Sequence, residues 1–289
     1  MQDSLLERYA AHLRGRGLAD KSVRCYLGQA GAFVAWYERE RGPFRVESVA
    51  RLDVADYRRH LQDAGRKPAT VNLVLVVLNS FFNWAVQEGL ASANPVVGVR
   101  RVPEQVPGPR WLDREAVRAL LEAVATHGSL RDRVLITVML HTGLRVSEVC
   151  SLRLEDLELR DHSGRLRVRR GKGGKYREVP LNAAVRRALQ EYLASHPGGP
   201  WLFFSRQRAC LSARSAERIV SRYARLAGLE GVTAHALRHT FCKMLVDAGE
   251  SLDRVATLAG HANLTTTARY TRPSMADLER AVSKLTWDL

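Results

Sequence analysis

The stretch "ASANPVVGVRRVPEQVPGPR", residues 91–110, decides how this 289-residue chain is divided. It holds four prolines and two glycines. Each proline lacks a backbone donor and fixes φ, so no helical period survives, and the stretch reads as an extended linker. Upstream of it, Asp3 to Arg14, Lys21 to Arg41, Asp53 to Ala64 and Ala69 to Glu88 repeat apolar residues at spacings of three and four, with Gly15, Gly42, Gly65 and Gly89 as stops. Residues 1–90 are therefore expected to form a four-helix unit.

Downstream, Asp113 is expected to cap a helix ending near Thr126, and "LRDRVLITVMLHTG", residues 130–143, reads as a buried helix stopped by Gly143. The period then changes from helical to two. "GRLRVRR" and "KYREVPL" alternate apolar and polar residues around "GKGG", the pattern of a β-hairpin with a glycine turn. Helical spacing returns at 182–195, 212–227, 235–248, 252–259, 264–270 and 275–285, with Asn182, Ser212, Ser251 and Ser274 as N-caps. The expected fold is mainly α, a four-helix unit followed by an α+β unit with a small antiparallel sheet over residues 111–289.

With 46% hydrophobic residues, two ordinary cores can be filled. The reading expects no run of about 18 apolar residues able to span a bilayer. The start, "MQDSLLERYAAHL", has an amphipathic helical pattern rather than that of a signal peptide, which places the protein in the cytoplasm. Cys25, Cys150, Cys210 and Cys242 are far apart in sequence and are expected to be reduced, buried thiols. The formal net charge of +15 points to an acidic partner such as nucleic acid. Lys and Arg exceed Asp and Glu by 3 in residues 1–90, by 2 in 91–110 and by 10 in 111–289, so the C-terminal unit carries most of the excess. On the helical unit, Arg58, Arg59, Arg66 and Lys67 fit a solvated surface or contact with a phosphate backbone equally well.

Four short stretches carry chemistry: "TGLRVSE" at 142–148, "GKGGK" at 171–175, "HALRH" at 235–239 and "AGHANLTTTARYT" at 259–271. His235 and His239 stand four apart on one helical face, the spacing of some zinc sites. The glutamate of such a site is missing, and Arg238 beside them repels a metal ion and attracts a phosphate. Each residue also has a plain structural alternative. The histidines fit core or capping positions, Arg145 a salt bridge to Glu148, Lys172 a solvated hairpin tip and Tyr270 a surface aromatic. Lysine usage bears on one of these. The chain has 39 arginines and six lysines, two of them in "GKGGK", and lysine can surrender a proton where arginine effectively cannot.

In this order and spacing the four stretches resemble those of the tyrosine recombinases, the phage-integrase and Xer-like family, and the resemblance covers nearly the whole chain. It implies a SAM-like core-binding domain over 1–90, an interdomain linker over 91–110 and a catalytic domain over 111–289. It also implies that Arg145, Lys172, His235, Arg238 and His261 surround a scissile phosphate, with Tyr270 as nucleophile, without metal or cofactor. His239 matches the second histidine of its motif and is assigned a structural role. The implied reaction cleaves and rejoins double-stranded DNA through a covalent 3′-phosphotyrosyl intermediate. The implied assembly is a homotetramer on two sites built of inverted repeats, with a paralogous recombinase as a candidate partner and no membrane. Dimer resolution and movement of a mobile element both lie within the family's reach.

Chemistry accounts for these residue types. Attack on a phosphodiester builds about two negative charges on five-coordinate phosphorus, which two guanidiniums can hold where other enzymes use Mg²⁺. A phenol with an ordinary pKa near 10 needs a base as it attacks, for which His235 is the candidate, and a departing alkoxide needs an acid, for which Lys172 is the candidate. A type IB topoisomerase, a DNA-binding regulator with an inactive site and a metallohydrolase are the rival readings. The tail "TRPSMADLERAVSKLTWDL", 271–289, is expected to form a short helix with Met275, Leu278, Val282 and Leu285 on one face, which caps its own domain or docks on a neighbouring protomer.

Overall fold

The computed structural model describes residues 2–104, 110–169, 176–261, 263–271, 278–279 and 282–283. The chain divides into two compact units, Met1–Val106 and Pro107–Leu289.

The first unit consists of α1 (Gln2–Gly15), α2 (Asp20–Arg41), α3 (Arg51–Asp63) and α4 (Pro68–Gln87), with a single 3-10 turn at Val46–Ser48. Pro68 sits at the first turn of α4, where its missing N–H costs no intrahelical bond. Gly42, Gly65 and Gly89 take positive φ just past the helix ends, as expected of stops. For α1 the residue that does so is Gly17 (φ 75°), and Gly15 remains helical. Tyr9, Leu13, Phe33, Val54, Phe81, Phe82 and Trp84 fill the core. Its rings meet edge to face, Tyr9 on Phe81 at 5.2 Å and Phe33 on Tyr57 at 5.1 Å.

Two stretches of this unit show what composition alone leaves open. Helix α4 carries no charged residue and is long and apolar enough to cross a membrane, contrary to the expectation of no such run. Its apolar side chains, from Val71 to Ala85, are the core of the unit, which explains its composition. Residues 91–104, read as extended linker, pack on the unit. Val96 is buried, and the Asn72 amide pairs with Val102 like a strand partner, donating to its carbonyl at 2.8 Å and accepting from its N–H at 2.9 Å. Proline ends a helix but does not take a chain out of a core.

The second unit contains α5 (Arg114–His127), α6 (Leu130–Thr142), α7 (Val146–Cys150), β1 (Leu157–Leu159), β2 (Gly164–Val168), β3 (Arg177–Pro180) and α8 (Ala183–Ala194). These are followed by α9 (Ala213–Leu226), α10 (Ala234–Asp247), α11 (Leu252–Ala259), α12 (Leu264–Ala268) and a 3-10 turn, Arg269–Thr271. Asp113, Asn182, Ser212 and Ser251 cap their helices through side-chain oxygens, as expected; Ser274 lies outside the described residues. Helix α6 packs between α8 and α10 through Val134, Leu135, Ile136, Val138 and Met139, leaving Arg133, Thr137 and His141 along a half-exposed side. The expected hairpin forms as β2 and β3, with Leu166 opposite Val179, and its "GKGG" turn lies outside the described residues. A third strand, β1, which is too short to show a period, pairs antiparallel with β2. Cys150 and Cys242 are buried, but Cys25 and Cys210 are exposed, against expectation; all four are free. Of the expected tail helix, Met275 and Leu285 lie outside the described residues, and Leu278 and Val282 are exposed.

Candidate active site

Two glycines that end helices organise the second unit. Helix α6 stops at Gly143, whose φ of 61° is left-handed and where an added Cβ would lie 2.2 Å from Phe241 Cδ1, so glycine alone fits. Its carbonyl accepts a hydrogen bond of 2.6 Å from Arg238 Nη1. Helix α11 stops in the same way at Gly260 (φ 69°), where a Cβ would meet the Arg177 guanidinium at 2.8 Å. Its carbonyl accepts from Arg145 Nη2 at 2.8 Å. Each helix end thus offers a partly negative carbonyl to one arginine of the motifs.

Arg145 also donates to Glu148, three residues on, at 2.8 Å. The plain salt bridge expected as its alternative role exists and leaves the Gly260 contact besides. The Glu148 carboxylate is nearly inaccessible and accepts two further bonds from Arg177, at 3.1 and 2.8 Å. Burial alone would raise its pKa, but the bonds from Arg177 and Arg145 outweigh burial and hold it below the ordinary carboxylate value.

Helix α10, capped by Thr233, places His235, Arg238, His239 and Cys242 on one face. Arg238 is 2% exposed, and burial, with Arg145 nearby, pushes its pKa down to about 10. Tyr270, in the turn after α12, is 1% exposed. Its hydroxyl is hydrogen-bonded to His239 Nδ1, and its ring stacks near that of His261, at 6.2 Å and 11°. His261 Nδ1 is in turn bonded to Thr267 Oγ1 at 2.8 Å. Burial, and then the Cys242 thiol beside it, raise the phenol above its ordinary value.

All three histidines are shifted towards the neutral form. Burial and the surrounding cations push His239 and His261 down to about 4 and lower His235 as well. The centre therefore combines fixed guanidiniums, neutral imidazoles able to accept a proton, and a buried phenol. A field that repels protons from imidazole attracts an anion.

Of the expected residues, the structure gathers Arg145, His235, Arg238, His261 and Tyr270, while Lys172 lies outside the described residues. The histidine at the Tyr270 hydroxyl is His239, to which the sequence assigns a structural role, and the ring of His235, the candidate base, lies 4.2 Å from that of His239. Sequence reasoning also passed over Arg177 and Cys242. Arg177 stands on a strand whose alternation marks it only as polar, and its partners are 29 and 81 residues away.

The profile of the phage integrase family matches residues 110–277, and that of the phage integrase N-terminal SAM-like domain matches residues 5–91. The chain belongs to the phage integrase family. Among its tyrosine recombinase relatives, XerC of Rhodospirillum centenum is 36% identical over 92% of this chain and 82% of its own, and XerA of Pyrococcus furiosus 31% identical over 98% and 94%. The fold matches a lambda integrase dimer bound to a core site, with a TM-score of 0.76 at 23% identity over 93% of this chain and 95% of that one. It also matches the XerH recombinase bound to a palindromic difH substrate in a post-cleavage complex, with a TM-score of 0.75 at 23% identity over 96% and 83%. These integrase-family matches span both units of the chain.

Proposed function

We propose that this phage integrase family member is a site-specific DNA recombinase in which Tyr270 Oη attacks a phosphodiester while Arg145 and Arg238 hold the non-bridging oxygens. The observation that carries this reading is the buried Tyr270 hydroxyl on a neutral imidazole, in a unit where two motif arginines are anchored to helix-end carbonyls. A bond forms from Tyr270 Oη to phosphorus, and the bond from phosphorus to the 5′-oxygen breaks, leaving a 3′-phosphotyrosine and a free 5′-hydroxyl. The phenolic proton passes to His239, already on the hydroxyl, or to His235 beside it when the ring reaches the phosphate. His261 adds a donor to the phosphate, and Lys172 protonates the departing 5′-oxygen. The phosphotyrosyl bond keeps the energy of the broken one, so a 5′-hydroxyl from a partner duplex reseals the strand without ATP.

Residues 1–90 and 111–289 would each contact the duplex, as core-binding and catalytic domains joined through 91–110. The working form is a tetramer on two sites of inverted repeats, of this chain alone or with a paralogue, acting at the nucleoid in the cytoplasm. The exposed apolar residues Leu278 and Val282 suit the tail to docking on a neighbouring protomer. Removing residues 275–289 is therefore expected to impair pairing of two sites more than binding of one. The test of the reaction starts with a binding site selected from a randomised duplex library on the purified chain, nicked so that cleavage traps the intermediate. The expected product is a protein–DNA adduct mapped to Tyr270 with a 3′ linkage. No adduct, or one at another residue or a 5′ end, overturns the reading.

A further inference from the structure

Arg177 lies outside the set that the motifs supply, yet it closes a ring of contacts through the candidate centre. Its two terminal nitrogens bind both oxygens of Glu148, and its Nε donates to the Leu258 carbonyl at 3.2 Å. Glu148 binds Arg145, Arg145 binds the Gly260 carbonyl, and Gly260 packs on the Arg177 guanidinium, which completes the circuit. The Arg177 side chain is only 12% exposed, and it begins β3, the strand that follows the "GKGGK" segment. Arg145 and His261 thus each lie three residues from a group that Arg177 binds.

Charge explains why one carboxylate needs two arginines. A lone buried Glu148 would neutralise Arg145, leaving a pair with no net charge to offer a phosphate. With Arg177 sharing the same carboxylate, the trio keeps one positive charge, and Arg145 retains donors that are not committed to Glu148. We propose that Arg177 is a positioning residue that offsets the charge of Glu148, so that Arg145 acts on the phosphate, and that fixes the end of α11 from which His261 projects. This rests on the role proposed above for Arg145.

The test is single-turnover cleavage of the selected nicked duplex, with binding of the same duplex measured separately. Arg177→Met is expected to leave binding little changed and to slow cleavage about 10- to 100-fold, the loss typical when a partner orienting an active group is removed. Arg177→Lys keeps the charge and is expected to recover much of that loss. The deciding variant is Arg177→Met combined with Glu148→Gln, which removes the charge that Arg177 offsets. It is expected to cleave faster than Arg177→Met alone, a suppression that two independent packing losses do not produce. A double variant as slow as or slower than the single one, or a lysine variant as slow as methionine, overturns the charge-sharing role. Should Arg177→Met fail to fold, Arg177→Gln with and without Glu148→Gln makes the same comparison. Arg145→Ala separates the two proposals. If it cleaves like the wild type, the reading of the site fails; if it loses cleavage while Arg177→Met does not, only the present inference fails.

Discussion

The interiors of the two units are built on opposite principles. Of the nine buried polar or charged residues among those described, Asn72 alone lies in the first unit; Arg238, Glu148, Lys243, Asp132, Asp156 and three threonines lie in the second. The first core is aliphatic and aromatic, and burying it is favourable residue by residue. The second contains ions whose burial opposes folding unless each is paired and bonded. Arg238 meets that demand only in part, with one backbone carbonyl, whereas Glu148 meets it with two guanidiniums. Residues that weaken a core persist where they face something other than the core, and in this protein two of them, Arg238 and Glu148, belong to the centre that holds Tyr270.

The comparison predicts that changes near Tyr270 alter reaction far more than stability, while changes in the first core do the reverse. The largest effect is expected for Tyr270→Phe, which removes one oxygen and little volume. Binding of the selected duplex should persist and the covalent adduct should vanish from a denaturing gel; any adduct above background breaks the comparison at its centre. Next is Lys172→Ala, expected to slow cleavage on the order of 10²–10⁴-fold, as when acid catalysis is lost. Replacing the bridging 5′-oxygen by sulfur gives a leaving group that needs no acid, so this variant should recover, whereas Arg145→Ala and Arg238→Ala should not. Recovery by Lys175→Ala would move the acid to that lysine, and recovery by neither would point to His261. In the first unit, Phe82→Ala should cost about 3–5 kcal/mol in denaturant unfolding, as deletion of a fully buried ring does. Its cleavage rate per folded molecule should stay near that of the wild type. A stable Phe82→Ala protein that cleaves slowly would mean that the first core also shapes the chemistry.

The same contrast explains what the sequence made legible. Helices α2 to α6 and α8 to α11 were readable because amphipathic spacing, cap oxygens at Asp113, Asn182, Ser212 and Ser251, and glycine stops at 42, 65, 89 and 143 act within a few residues of one another. The five residues of α7 and the three of β1 are shorter than any period, and Val96 joins the first core while the Val102 backbone bonds to Asn72, through contacts that proline content does not encode. In the centre, the motif residues themselves were legible. Their pairings were not, since Arg145 meets Gly260 across 115 residues and Tyr270 meets His239 across 31. Local chemistry names the groups, and tertiary packing decides which histidine receives the phenol.

The smallest expected effect tests whether the second interior is built for an anion. In the unfolded chain His239 and His261 titrate near 6.5, whereas in the folded protein they stay neutral down to about 4. Between these values the unfolded state binds protons that the folded state refuses, so stability should fall as pH drops from about 6.5 towards 4, with no contribution from these groups above 6.5. A phosphodiester held by Arg145 and Arg238 offsets the cations, those two together with Arg177 and Arg269, that after burial lower these imidazoles. DNA binding at pH 5 should therefore take up protons, on the order of a fraction of one per chain, and binding at pH 8 none from these groups. Calorimetry in two buffers of different ionisation heat reads this uptake directly, and His261→Gln should reduce it. Proton release at pH 5 would mean that burial by DNA outweighs its charge at the imidazoles. Equal uptake at both pH values would place the titrating groups elsewhere.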